Sequence, residues 1–406
     1  MKKRMYKIMA LAMTAAMVVP MAAQTTAFAA DDKEITYWNI AVESPDKDIV
    51  TAAVDKFNKE TKSGYTVNQV AIQNDTYKEK LVIAMSSGEC PDMYSSWSGG
   101  PMYEYIDSGF AQPIDDLLDQ SDVKDKLLDA AIEQGSYNGH VYAIPYLNVS
   151  LAGIFYNKDM FKQYGLEEPK TLADLENICA TLKENGITPF ALANASKWTG
   201  SMYFMSLAAR YGGLEPFQNA VAGTGKFTDD CFIKAGEKIQ EWVKNGYFPD
   251  GVNSLSEDDG QAKQLMYQET AGMLLCGSWY TGTFQTDSEE FYQKIGWFPF
   301  PAIDDSDADP TIQIGTVGDQ FISFNCEGDK LAAAFECATD HLSDEVADIT
   351  YSNNKIVPVK DAGDHIKDPV VKEIFDAAQE ASSIQLWYDQ YLPASVTEVH
   401  KNCMTE

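Results

Sequence analysis

Strands alternating with helices predict an α/β fold in two domains, and three observations carry that expectation. Short apolar runs of strand type alternate with stretches of helical spacing along the chain, the pattern of an α/β protein with largely parallel sheets. The 406 residues exceed what one ordinary core organises. Hydrophobic residues make up 45% of the chain and aromatics 12%, which excludes a disordered polymer.

The first residues read as a targeting signal over 1–29. Lys2, Lys3, Arg4 and Lys7 form a basic start, residues 8–23 are largely apolar, and Ala27-Phe28-Ala29 suits small-residue cleavage. Pro20 interrupts the apolar run, which is also short for a bilayer span of about 20 residues. No Cys follows it, so the usual lipid-attachment cysteine is missing. The expected location is outside the cytoplasmic membrane, either periplasmic or extracellular and surface-associated.

The mature chain opens with a strand at 35–38. A helix follows with Ser44 as N-cap and Pro45 in its first position, burying Ile49, Val50, Ala53, Val54 and Phe57 on one face. A strand at 65–70 and a helix at 77–87 come next. Gly88 suits a left-handed helix end, and Pro91 bars continuation. Residues 92–97 read as a strand ending in Trp97 and a Ser-Gly-Gly turn, and Asn138-Gly139 marks a hairpin. Past Tyr146 a second block begins: a strand at 151–156, a helix at 158–164, a Thr171-capped helix and a strand at 187–191. Helices at 202–211 and 229–245 follow, then strands at 271–276, 294–298 and 314–325. The acid-rich loop at 304–309 resembles a calcium loop, but Pro310 stands where glycine is needed and Thr316 where the bidentate Glu belongs. No metal is expected there.

A net charge of −30 argues against nucleic acid and against anionic membrane surfaces as partners. Seven cysteines form no CxxC or zinc pattern; Cys179, Cys276 and Cys337 read as buried thiols, and a Cys326–Cys337 disulfide stays open. There is no GxSxG elbow, HExxH, Walker loop or GxGxxG, and no cofactor is expected. With 61 acids, a glycosidase-type carboxylate pair can be neither picked out nor dismissed.

Aromatics at the ends of elements are the recurring feature. Trp38, Trp97, Trp279 and Trp387 each lie at or just past an element's end beside small or polar residues, and Trp198 precedes a helix start. Trp242 and Trp297 read as core. An indole face suits the apolar C–H face of a sugar, whose hydroxyls need planar acceptors such as Asp, Glu and Asn.

The whole mature chain resembles the extracellular solute-binding proteins of carbohydrate ABC transporters, the maltose-binding-protein-like group. The resemblance rests on an ordered series that includes Ile35-Thr36-Tyr37-Trp38, Ser87-Gly88-Glu89-Cys90-Pro91-Asp92, and Asn138-Gly139-His140-Val141-Tyr142-Ala143-Ile144-Pro145-Tyr146. It continues through Phe155-Tyr156-Asn157-Lys158, Gly277-Ser278-Trp279 and Gly296-Trp297-Phe298-Pro299. The resemblance implies a two-lobed, periplasmic-binding-protein-like fold with a ligand cleft between the lobes. The first lobe would take 30–145 and 311–355, the second 146–310 and 356–406, with crossovers near Tyr146, Pro310 and Lys355. It places ligand contacts at Trp38, Glu43, Trp97, Tyr146, Trp198, Trp279, Asp319, Trp387 and Asp389. It implies a monomer that captures a mono- or oligosaccharide and delivers it to the permease subunits of an ABC transporter, without catalysis. Two alternatives stay open: a secreted carbohydrate-active enzyme, and the same fold holding a cation such as a polyamine or peptide.

Overall fold

The computed structural model describes residues 33–406, so the expected signal peptide lies outside the described residues. Two sheets organise the chain. The first runs in the order Thr66–Ala71, Glu34–Asn39, Met93–Ser96, Phe321–Phe324, Ala143–Pro145. The second runs Ile384–Gln385, Gln313–Val317, Val149–Asn157, Ala271–Gly277, Thr188–Phe190, with Ile295–Pro299 also paired to Val149–Asn157. Helices cover both sheets and make a two-lobed α/β molecule.

The expectation of largely parallel sheets needs correction. Glu34–Asn39 pairs in parallel with both of its neighbours, but Phe321–Phe324 enters the first sheet antiparallel to Met93–Ser96 and to Ala143–Pro145. In the second sheet, Val149–Asn157 is antiparallel to Ala271–Gly277, Ile295–Pro299 and Gln313–Val317. Parallel pairing needs a crossover, and helix-sized crossovers follow only some of these strands. The others return after long excursions, which leave strand direction free. Val149–Asn157 is buried at all nine positions, as a central strand covered on both faces must be.

Local signals placed most element ends. The helix Asp46–Glu60 buries the expected face, although Pro45 rather than Ser44 holds its N-cap and no side chain caps it. The helix Asn74–Ser87 begins three residues before Tyr77 and ends at Gly88 with φ 77°, a conformation that suits glycine. Asn138 and Gly139, with φ of 50° and 84°, turn Ser136–Tyr137 back onto His140–Val141. Thr171 and Asp174 form a reciprocal capping box on Leu172–Glu184.

The run expected as one strand at 314–325 is two. Gln313–Val317 belongs to the second sheet and Phe321–Phe324 to the first, so the chain crosses between sheets at Gly318-Asp319-Gln320, not near Pro310. Gly318 has φ 144°, and a Cβ there would stand 3.0 Å from Phe321 and Pro145. The other crossings are Tyr146-Leu147-Asn148 and the segment around Lys355. They are tied together: Asn148 Oδ1 accepts from the Ile356 amide at 2.7 Å, and the Val149 amide donates to the Ile356 carbonyl at 2.7 Å.

Trp242 and Trp297 are core, at 0% and 2% exposure. All seven cysteines are free thiols, so the Cys326–Cys337 disulfide does not form. Among the described residues, no helix is long and apolar enough to cross a membrane.

Candidate ligand cleft

A cavity of about 820 Å³ opens where the two sheets face one another, and strand ends and helix starts from both supply its walls. From the first lobe come Glu43 in the loop after Glu34–Asn39, Asp46 at the start of Asp46–Glu60, Asn74 and Lys78 near the start of Asn74–Ser87, and Trp97 just past Met93–Ser96. The second lobe contributes Trp198, the loop Glu257-Asp258-Asp259-Gly260, and Trp279 at the end of Ala271–Gly277. Asp319 and Gln320 from a crossover, and Trp387, Asp389 and Gln390 from the C-terminal segment, complete it.

Each indole is held by a local device. Trp279 folds back over Gly277, where a Cβ would fall 2.0 Å from the indole ring. The Ser278 carbonyl accepts from Thr281 Oγ1 at 2.7 Å, which fixes the turn. Trp198 starts the helix Trp198–Gly212 directly after Lys197, a residue with φ 67°. Asn194 Oδ1 accepts from the Gly200 amide at 2.9 Å and braces that start. Trp198 and Trp279 meet with ring centroids 6.1 Å apart and planes 59° apart; Trp279 and Trp387 meet at 5.9 Å and 68°. Across the cavity, Trp97 packs edge-on against Tyr77 at 5.9 Å, and Lys78 Nζ lies 4.7 Å from the Trp97 ring centroid. The Trp198 Nε1 donor is buried and has no partner.

Charged groups between the indoles are predominantly acidic. Eight carboxylates line the cavity against two lysines, Lys78 and Lys263. Lys263 is engaged by Asp287 at 2.8 Å, with Glu43 at 3.9 Å. Burial pushes the Glu257 carboxyl up to about 7, even though the Tyr280 hydroxyl donates to it. Asp319 is likewise raised to about 7, by burial first and by repulsion from Asp46, against the pull of Lys355. Burial also raises Asp389 above the usual carboxylate range. Lys355, only 1% exposed, pairs with Asp46 at 2.6 Å and pins the start of Asp46–Glu60 to the third crossover.

Bonds also bridge the walls. The Asp75 amide donates to Asp258 Oδ2 at 3.0 Å, and the Ser196 hydroxyl donates to the Asp75 carboxylate. The helix Asn74–Ser87 thus touches two loops of the opposite lobe.

Seven of the nine residues expected at the site line this cavity: Glu43, Trp97, Trp198, Trp279, Asp319, Trp387 and Asp389. Trp387 is 2% exposed and buttresses Trp279 more than it faces open space. Two lie elsewhere. Trp38 is half-buried against the cluster of Tyr77, Leu81, Met85 and Tyr94, because the alternation of its strand turns it to that face. Tyr146 is buried behind the cavity, its hydroxyl donating to Gln320 Oε1 at 2.8 Å and lying 3.2 Å from Ser95 Oγ. It reaches the cavity only through Gln320. Lys78, Glu257, Asp258, Gln320 and Gln390 also line the cavity, and none stands beside a sequence feature that sets it apart from the chain's many other polar residues. Among the described residues, no group of His, Cys, Asp and Glu is arranged to hold a metal ion.

The model of the bacterial extracellular solute-binding protein family matches residues 41–339. An uncharacterized ABC transporter extracellular-binding protein of Pyrococcus horikoshii is 32% identical over 228 residues, 55% of this chain and 50% of that protein. The melibiose/raffinose/stachyose-binding protein of Bacillus subtilis is 22% identical over 284 residues, 68% of this chain and 63% of that protein. The chain thus spans about half to two thirds of the length of these curated relatives. A solved structure from work on xylan utilization by Caldanaerobius polysaccharolyticus is 27% identical, with a TM-score of 0.84 over 91% of this chain and 94% of that chain. A chitin oligosaccharide binding protein at 22% identity shares the fold, with a TM-score of 0.81 over 92% of this chain and 94% of that one.

Proposed function

Because the chain belongs to the bacterial extracellular solute-binding proteins, we propose that it is an exported receptor that captures a carbohydrate and hands it to an ABC transporter permease. One observation carries this reading. Trp198 and Trp279 form a braced aromatic wall facing Trp97 across a cavity whose remaining polar lining is rich in hydrogen-bond acceptors. Indole faces take the C–H side of a sugar while carboxylates and amides take its hydroxyls. The names of relatives agree: sugars are what the Bacillus subtilis and chitin-oligosaccharide proteins are said to bind. Within this reading the first lobe comprises 33–145 and 321–355, and the second 149–317 and 356–406, adjusted to the sheet in which each strand pairs. The protein acts as a monomer, performs no chemistry, and has no nucleic-acid partner, as its net charge of −30 favours.

A thermal-shift screen against a sugar panel tests the proposal. A ligand present at about 100 times its Kd adds ~2.7 kcal/mol of stability, so a true ligand raises the melting temperature clearly. A panel without any shift overturns it. The eight carboxylates favour one rival, a cationic ligand such as a polyamine or basic peptide. Such binding weakens steeply with added salt, whereas neutral sugar binding does not.

A further inference from the structure

We infer that Gly99 and Gly100 form a seat of bare backbone on which the C-terminal segment 390–393 rests, and that this contact, which includes no ligand atom, sets how far the two lobes can close. The inference goes beyond the carbohydrate reading and rests only on the division into lobes.

Gly99 and Gly100 follow Trp97 at the end of Met93–Ser96 and lead into the helix Gly100–Asp107, so they belong to the first lobe. The segment facing them is fastened to the second lobe. The Tyr388 ring stacks on Phe217 with centroids 3.9 Å apart and planes 7° apart. Ser201 Oγ lies 2.6 Å from His400 Nε2, and Asn194 Nδ2 donates to the Met404 carbonyl at 2.9 Å. Gly99 and Gly100 stand outside all three crossovers, so they join the lobes by packing alone.

Only glycine permits this approach. A Cβ at residue 99 would stand 2.9 Å from the Gln390 carbonyl carbon, and one at residue 100 would stand 2.7 Å from that of Leu392. The obstacle in both cases is backbone, which cannot rotate aside as a flexible side chain does. Gly99, Gly100 and Leu392 are all buried. Beside the seat, the Ala394 amide donates to Glu104 Oε1 at 3.0 Å. Ala394 opens the helix Ala394–Cys403, which has no side-chain cap at its N-cap residue, so a first-lobe carboxylate satisfies one of its free amides.

The seat governs the cleft through its neighbours. Asp389 and Gln390 line the cavity on one side of the contact, and Trp97 lines it on the other. A gap opened at the seat moves these walls apart. A ligand touching both then loses contacts, although neither glycine lines the cavity.

Gly100→Ala tests the seat without burdening the backbone. Gly99 has φ 105°, but Gly100 lies outside the left-handed region, and alanine is the better helix former. Hydrogen exchange is read at the Ala394 amide of the mature chain, alone and with xylotriose, raffinose or galactose. Exchange is expected to be at least about fivefold faster in Gly100→Ala than in the parent. Whichever of these sugars binds the parent is expected to bind Gly100→Ala at least about tenfold more weakly, because fewer molecules reach the closed state. Exchange like the parent's in every condition, or affinity like the parent's in a variant that melts cooperatively, overturns the seat. If Gly100→Ala does not fold, Glu104→Ala decides. Glu104 is exposed, and its loss is expected to speed Ala394 exchange and weaken sugar binding about two- to threefold; no change in either overturns the inference. If none of the three sugars binds, exchange alone decides the seat, and the wider sugar panel separately decides the carbohydrate reading.

Discussion

Trp279 holds its place because residue 277 has no side chain: its ring occupies the space a Cβ would need. That makes the indole a rigid platform. Trp279→Ala is expected to weaken carbohydrate binding by more than ~1 kcal/mol, on the scale of flat-ring stacking, while unfolding stays cooperative. Unchanged affinity with lost stability, read by titration and thermal melting, would assign it to the core instead. Glu257 carries the opposite trade. Its carboxyl is raised from an ordinary 4.5 to about 7 by burial, so between those values the folded state holds a proton that the unfolded chain releases. Its contribution to stability therefore falls as pH rises through that range and stays low above it. Glu257→Gln is expected to be more stable than the parent at pH 8, with the difference fading as the pH approaches 4.5, and to bind ligand less tightly. Buried His341 and His400, lowered to about 4, act in the opposite direction over part of this range. The check is thus the difference between variant and parent in melts across pH; a pH-independent difference would contradict it. Trp97, Trp198 and Trp279 were legible beforehand because strand ends and helix starts leave local marks. Glu257, Asp258 and Gln320 were not, because their place in the cleft depends on which loops meet across it, and 61 acids hide the ones that matter.

At the scale of elements, legibility follows the range of the interaction that sets each feature. The capping box at Thr171, the left-handed end at Gly88 and the Asn138-Gly139 turn are decided within a few residues, and all stand where the chain signals them. Strand direction is decided by partners hundreds of residues away, and there the parallel expectation failed. The break at Gly318 was hidden for the same reason: residues 314–325 read as one continuous segment, and only the sheets' positions pull its halves apart. Glu43 and Asp46 follow Glu34–Asn39, and a buried ion pair anchors this edge of the cleft. Lys355 is 1% exposed and Asp46 is its partner at 2.6 Å. Asp46→Ala leaves that buried ammonium with Asp319 as the neighbouring carboxyl able to answer it and is expected to cost about 2–3 kcal/mol, measured by denaturant unfolding. A loss below about 1 kcal/mol would mean the pair behaves like a surface salt bridge.

At the scale of the molecule, two sheets joined by crossovers at Tyr146-Leu147-Asn148, Gly318-Asp319-Gln320 and around Lys355 have few places to absorb motion. Such a frame closes by hinging. The cleft walls come from both lobes, so a ligand gains its full set of contacts only when they approach, and a ligand that prefers the closed state must shift the population toward it. Asp75 meets Ser196 and Asp258 across the mouth, bonds that an opened cleft would have to give up. The two-lobed architecture was legible from chain length, strand–helix alternation and the ordered motifs; the seats of the hinges were not, since they depend on sheet membership. Small-angle X-ray scattering on the mature chain tests closure on a sugar most directly. The account predicts a smaller radius of gyration at saturating concentration of the bound sugar than without it. An identical radius with the sugar demonstrably bound would contradict closure and point to a site built on one lobe.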